Sequence, residues 1–342
     1  MKIPIFLVML IVIVFLGCDS KSTHKKNPLT ICVTTTDLED ITNNIGGEYV
    51  TVYCFGKGAE DPHVVEIKPN FVKQLSQADI LIDVGIGMAG GWLPDLLKSA
   101  QRPDMFPGKE KHLSVADVVR HLHNPEKYAF TDSLHADGNP HFLLDPIEGI
   151  KTAKLISEKL SQLLPLQKDF FNKNYQTFRQ KIATLLVGEQ LAQKYSVEKL
   201  AVMYSENKLE QFLVKNGDKE KLTGWFKKLH SLRDRSFVGD HDLWPYMART
   251  YGLAILGYLE PKPGVPPTTK HLKKLIEKMQ NNNVKILLTC PYFDKRHVKF
   301  VAEKSGAIVV NMAHQVKALD GTNSYIEMLQ YNFQQLFQGL TK

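Results

Sequence analysis

Three of the twelve histidines stand where an imidazole is presented rather than packed into an apolar run. His63 closes Asp61-Pro62-His63, His141 follows Asn139-Pro140, and His241 lies in Gly239-Asp240-His241-Asp242. Neutral imidazole is a ligand for zinc, copper, iron and nickel. Proline before a histidine restricts the backbone and removes a donor, so Pro62-His63 and Pro140-His141 read as rigid presentations at element ends. His241 follows the apolar Phe237-Val238-Gly239 and precedes Pro245, a residue suited to a first helical turn. Together the three read as one metal site drawn from distant parts of the chain. The alternative for each is an ordinary structural or surface histidine. His24, His230, His271 and His297, in charged or helix-periodic contexts, are assigned to the surface.

These imidazoles need a scaffold, and the first half of the chain alternates strand and helix signals. Strands are expected over Leu29 to Thr36, Val50 to Phe55 and Ile80 to Gly85, with helices over Leu38 to Gly46 and Phe71 to Ala78. Such alternation argues for a parallel sheet covered by helices. In the middle, Phe171, Tyr175, Phe178, Ile182, Leu185 and Leu186 fall on one helical face. They predict one stiff connector helix from near Leu166 to about Tyr195, with Gly188 inside it. The second half alternates again. Strands are expected at Leu200 to Tyr204, Phe237 to Gly239, Leu253 to Leu259, Ile286 to Cys290 and Ile308 to Val310. Helices are expected at Leu209 to Leu229, Tyr246 to Tyr251, around Leu272 to Met279, Arg296 to Lys304 and Tyr325 to Leu340. The fold class expected is α/β, with two similar lobes, each a mainly parallel sheet covered by helices, at residues 28–165 and 196–342, joined by a long rigid helix at 166–195. All three histidines would then lie at strand-to-helix edges, where α/β folds place their ligands.

The N-terminus sets the compartment. Lys2 precedes an apolar run from Ile3 to Leu16, which is short for a spanning helix and suits the core of a signal peptide. Phe15-Leu16-Gly17-Cys18 resembles a bacterial lipobox, although Phe15 departs from the usual Leu. The expectation is a signal peptide at 1–17, a lipidated Cys18 and a solvated tether over 18–27; a cleaved signal with an incidental Cys is the alternative. Cys32, Cys54 and Cys290 form no C-x-x-C spacing, which argues against a cysteine zinc or redox site. Buried thiols are the expectation for Cys32 and Cys54, with a bridge between them as the alternative. The net charge of +7 comes from scattered Lys and Arg, without the dense basic blocks of a nucleic-acid binder.

On these residues the chain resembles the metal-binding lipoproteins of bacterial ABC importers that handle zinc and manganese. The resemblance rests on Asp61-Pro62-His63 with Lys68-Pro69, Ala78 to Ile82 running into Gly85, and Trp92-Leu93. It continues through Asn139 to Pro146, His241-Asp242-Leu243-Trp244-Pro245-Tyr246 and Tyr251-Gly252-Leu253. The proline-rich Leu259 to Pro267 is similar to that of a zinc-linked branch. It spans nearly the whole chain in the family's order. By motif it implies His63 and His141 as ligands from one lobe and His241 as the third, from the other. Some relatives carry Glu at the third place, and an imidazole there favours zinc, since manganese prefers oxygen.

Two departures stand out. The family often has Asp shortly after the last core strand, where this chain reads Val310-Asn311-Met312-Ala313-His314-Gln315. His314 is the candidate fourth ligand; water, or a carboxylate such as Glu260, is the alternative. Gly87 to Trp92 lacks the acidic residue the family commonly carries before Trp. The stretch from His112 to His135 takes the place of the family's His-rich loop, so His121, His123 and His135 form a candidate accessory metal loop, with a solvated loop of chance histidines as the alternative.

The resemblance implies extracytoplasmic capture of a divalent metal, Zn²⁺ first and Mn²⁺ or Fe²⁺ as alternatives, and delivery by a monomer to the transmembrane permease of an ABC importer. It implies no enzyme. A zinc hydrolase is the rival chemistry, but there is no H-E-x-x-H and no obvious general base beside a ligand, since Asp240 and Asp242, which flank His241, read equally as residues that orient it. A surface adhesin is the rival from the interaction class.

Overall fold

The computed structural model describes residues 27–122 and 138–342. The first sheet contains β1 (Leu29–Val33), β2 (Val50–Cys54), β3 (Ile80–Asp83) and β4 (His112–Ser114), in the order β2-β1-β3-β4. All its pairs are parallel. The second contains β5 (Ser236–Gly239), β6 (Ala254–Tyr258), β7 (Ile286–Thr289) and β8 (Ile308–Asn311), in the matching order β6-β5-β7-β8, again parallel throughout. The central strands β3 and β7 are buried along their whole length. That explains their unbroken apolar runs, since strands covered on both faces have no polar side to show.

The first sheet is covered by α1 (Thr36–Gly46), α2 (Pro69–Gln77), α3 (Leu93–Ser99) and α4 (Pro146–Leu163). Then come α5 (Lys168–Val187), α6 (Glu189–Lys194), α7 (Val197–Ser205), α8 (Leu209–Lys215) and α9 (Trp225–His230). The second sheet carries α10 (Pro245–Tyr251), α11 (Thr269–Asn281), α12 (Lys295–Ser305) and α13 (Tyr325–Leu340). Local chemistry marks several starts. Asp145 caps α4 by accepting from the Ile147 N–H, with Pro146 in the first turn. Ser324 and Glu327 form a reciprocal capping box on α13. Among the described residues no helix is long and apolar enough to cross a membrane.

Three expectations are corrected. The connector is not one helix from Leu166 to Tyr195. A 3₁₀ turn occupies Pro165–Gln167, α5 stops at Val187, and Gly188 breaks the helix at φ 88°. A Cβ at Gly188 would come within 2.1 Å of Thr223 Oγ1, so this residue serves a tight crossing rather than a helix interior. Leu200 to Tyr204 is not a strand but part of α7. Its apolar residues Val197, Leu200, Ala201 and Tyr204 are buried at helical spacing, which a five-residue window conceals. Leu209 to Leu229 is not one helix: Gly217, at φ 68°, ends α8, and Gly224 precedes α9.

The α5 helix, about 30 Å long at 1.5 Å per residue, touches α1 and α4 over the first sheet and α9 and α13 over the second. One apolar core runs through both halves, and a smaller one lies beneath α2 and α3 around Cys32, Phe55, Leu81 and Trp92. Direct bonds also join the halves. Asp37 accepts from the Val316 N–H at 2.7 Å, Lys317 pairs with Glu39 at 2.7 Å, and the Tyr325 hydroxyl donates to the Leu143 carbonyl at 2.6 Å.

The alternative of a Cys32–Cys54 bridge is excluded by register. Cys32 lies opposite Tyr53 and Cys54 opposite Val33, so the two thiols face opposite sides of the sheet. Both are free, and burial pushes the Cys32 thiol up to about 12.

Candidate metal centre

In each sheet an inner strand, β1 or β5, is followed by a crossover to its neighbour on one side and then a return to its neighbour on the other, which opens a crevice beyond the strand ends. His241 follows β5, the second sheet's example of such a strand. His63 lies between β2 and α2, and His141 opens a 3₁₀ turn before α4. The three side chains, all buried, meet there. One ligand atom from each lies within 4.8 Å of the other two. Ring centroids are 5.2 Å apart for His63 and His141, 5.8 Å for His63 and His241, and 5.1 Å for His141 and His241.

Each ring has an oxygen at Nδ1. In Asp61-Pro62-His63, Asp61 Oδ1 accepts from the His63 backbone N–H at 2.9 Å and sits 2.9 Å from its Nδ1. Asn139-Pro140-His141 repeats the device, with Asn139 Oδ1 at 2.9 Å from the His141 N–H and 3.2 Å from Nδ1. His241 is held differently. Its N–H donates to Asp240 Oδ1 at 2.7 Å, while its Nδ1 bonds the carboxylate of Glu260 from the turn after β6. An oxygen at Nδ1 selects the tautomer with the proton there, which puts the ring lone pair on Nε2. Three such rings around one point offer a neutral, all-nitrogen donor set.

The supports are themselves anchored. Trp92 Nε1 donates to the Pro62 carbonyl at 3.1 Å. Asp240 Oδ2 accepts from the Cys290 N–H at 2.6 Å and the Thr289 hydroxyl at 2.9 Å, tying the His241 turn to the end of β7. Burial pushes the Asp240 carboxyl up. Burial acts the same way on Asp61, but the hydrogen bonds from the His63 ring and backbone oppose it, and that carboxyl lies below its ordinary value.

A family model described as the periplasmic component A of a zinc-uptake complex matches residues 31–213 and 216–339. The chain belongs to that family. It is an extracytoplasmic metal-binding protein of the kind that serves ABC importers. It is 25% identical over 346 residues to the metal ABC transporter substrate-binding lipoprotein SloC of Streptococcus mutans, covering 99% of this chain and 98% of that one. It is 26% identical over 333 residues to the manganese ABC transporter substrate-binding lipoprotein PsaA of Streptococcus pneumoniae, covering 95% and 93%. A crystal structure of ZnuA superposes with a TM-score of 0.66 at 21% identity, over 92% of this chain and 99% of that one, and shares its fold.

Of the residues singled out in the sequence, His63, His141 and His241 come together. His314 is buried nearby, but Nε2 bonds the Glu60 carbonyl at 3.0 Å and the ring packs edge-on to Tyr292 at 4.8 Å, outside the group of three. Burial pushes His314 down to about 4, so it is neutral. Glu260 contacts the far nitrogen of His241 rather than forming a fourth corner beside the three rings. In the accessory stretch, His112 lies on β4, 3.0 Å from Asp83, and His121 Nε2 bonds the Ala116 carbonyl at 3.0 Å. His123, His135 and Cys18 lie outside the described residues. The sequence reading missed Asp61 and Asn139 as ring partners, although both stand two residues before a ligand candidate in the same X-Pro-His frame.

Proposed function

We propose that this protein captures Zn²⁺ between two lobes, residues 28–165 and 196–342 joined through 166–195, and delivers it to the transmembrane permease of an ABC importer. His63, His141 and His241 bind the ion through Nε2. Water or another small donor takes the fourth position. A lipid on Cys18 tethers the chain to the membrane. The observation that carries this reading is the trio of buried imidazoles with ligand atoms within 4.8 Å of one another. Three nitrogen donors suit zinc, whereas manganese favours oxygen, so Mn²⁺ and Fe²⁺ rank behind it even though one relative is named for manganese. Asp61 and Glu260 place two carboxylates behind the rings, which balances a divalent charge held by neutral ligands.

The test is metal analysis of natively purified protein with competitive titration of zinc against manganese. One zinc per chain and a preference for zinc are expected, with affinity falling about 100-fold or more when His63, His141 or His241 becomes Ala. Affinity unchanged from wild type in all three variants overturns the site. A preference for manganese in the intact protein overturns the choice of cargo.

A further inference from the structure

The two X-Pro-His devices differ in one atom. Asp61 stands behind His63, and Asn139 stands in the same place behind His141. The difference is decided across the lobe junction. The Asn139 side chain reaches two partners: Oδ1 faces His141, and Nδ2 donates to the backbone carbonyl of Asp242 at 2.7 Å. Asp242 belongs to the second sheet's loop and adjoins His241. The residue is 1% exposed, so water does not substitute for either partner.

We propose that Asn139 is a positioning residue that ties the orientation of the His141 ring to the docking of the two lobes; this rests on the metal reading above. A carbonyl oxygen can only accept and a backbone N–H can only donate, so the Asp242 carbonyl takes Nδ2 while the His141 N–H takes Oδ1. With Nδ2 turned that way, Oδ1 must face His141, and the proton of that ring must sit on Nδ1. The other lobe thereby reinforces the tautomer of a ligand it does not carry. Asp61 needs no such donor, because its carboxylate serves His63 within one loop. An Asp at 139 would keep the acceptor for the ring but set a carboxylate against a carbonyl in a dry seam, where unpaired charge is costly. The backbone of Asn139 is clamped in the same seam: its carbonyl accepts from the Tyr246 hydroxyl at 2.9 Å, and that hydroxyl accepts from the Leu122 N–H at 3.0 Å. Where the lobes part at this seam, the amide loses one of the two bonds that orient it, and the His141 ring is held by its own loop alone. Holding the metal and holding the lobes together are then coupled.

The experiment compares wild type, Asn139→Asp, Asn139→Ala and His141→Ala by competitive zinc titration and by the rate of zinc transfer to a chelator. Nitrogen NMR of the His141 ring in the zinc-free protein gives a readout independent of affinity. Both Asn139 variants are expected to bind zinc about 10- to 100-fold more weakly, mainly through faster release. The ring, a single Nδ1–H tautomer in wild type, is expected to become a mixture in Asn139→Ala. Zinc binding lost in His141→Ala but unchanged in Asn139→Asp overturns this proposal alone, since an acceptor behind the ring would then suffice. Zinc binding unchanged in His141→Ala removes the metal reading and this proposal with it. If Asn139→Asp does not fold, Tyr246→Phe leaves the amide and ligands in place but loosens the seam. Release several-fold faster supports the coupling, and unaltered release overturns it.

Discussion

Glu260 bonds Nδ1 of His241 from a turn that begins where β6 ends. The pair forms a carboxylate–histidine unit in which the carboxylate fixes the ring and raises its basicity. The turn itself is tied back to the His241 loop, because the Glu260 N–H donates to the Asp240 carbonyl at 3.0 Å. Glu260→Ala is therefore expected to weaken zinc binding about 10- to 100-fold without changing the one-to-one stoichiometry. Titration against a chelator of known affinity reads both quantities. A loss of stoichiometry instead would show Glu260 to be a ligand.

His314 and Gln315 act together on a different segment. His314 bonds the Glu60 carbonyl, and Gln315 Nε2 donates to the carbonyls of Lys57 at 2.9 Å and Glu60 at 3.1 Å. This latch crosses from the second lobe to the loop that carries His63. His314→Ala should destabilise the fold by about 1–2 kcal/mol, the scale of a lost buried hydrogen bond. It should lower zinc affinity far less than His63→Ala. Denaturant unfolding and zinc titration on the two variants check this, and equal losses of affinity would make His314 a ligand after all.

Gly58 lies under the same latch. A Cβ there would come within 2.3 Å of the Lys317 carbonyl carbon and oxygen. Because those atoms are backbone, relief requires the two loops to separate. Gly58→Ala is expected to cost about 1–3 kcal/mol, as overpacking does, and to loosen zinc binding through the displaced Glu60–His63 loop. Unfolding midpoints measured with and without zinc separate the two effects; an unaffected midpoint in the zinc-free protein contradicts the contact.

Asp145 gives a pH dependence with a definite sign. Burial pushes its carboxyl up from 3.8 to about 6, against the opposing bonds from the Thr250 hydroxyl and the Ile147 N–H. A folded-state value above the unfolded one means that folding takes up a proton. The stabilisation from this group is then fully present below about pH 4 and is lost as pH rises through about 6. Asp145→Asn keeps a capping acceptor for α4 but removes the titration. Its stability relative to wild type should therefore rise between pH 4 and pH 7, by at most about 3 kcal/mol. Urea unfolding of the zinc-free proteins across that range measures the difference, and parallel profiles would contradict it.

Small motion on metal release is the last expectation. A single long helix would have made the chain stiff, but Gly188 interrupts it. Stiffness comes instead from α5 lying against helices of both lobes and from bonds such as Asp37–Val316 and Tyr325–Leu143. Small-angle scattering of zinc-free and zinc-loaded protein should nearly superimpose. A large domain rotation would show that these contacts break on release.

The sequence by itself determined what is local. Apolar runs marked β3 and β7, and proline before His63 and His141 marked two presented imidazoles. These signals are legible because turn chemistry and burial on both faces act on neighbouring residues. The type of the Leu200 to Tyr204 segment was not legible, since a short apolar run suits a strand or a buried helix and only packing chooses between them. Tertiary structure alone decided the distant contacts of the site. Glu260 reaches His241 across 19 positions, Asn139 reaches Asp242 across 103, and His314 reaches Glu60 across 254. A hydrogen bond depends on where two atoms sit in space, and nothing in the residue type at one end names the residue at the other. Three histidines could therefore be picked out from the chain, and Asp61 and Asn139 stand two residues before two of them; that Glu260 holds the His241 ring and that His314 bonds Glu60 followed only from the tertiary fold.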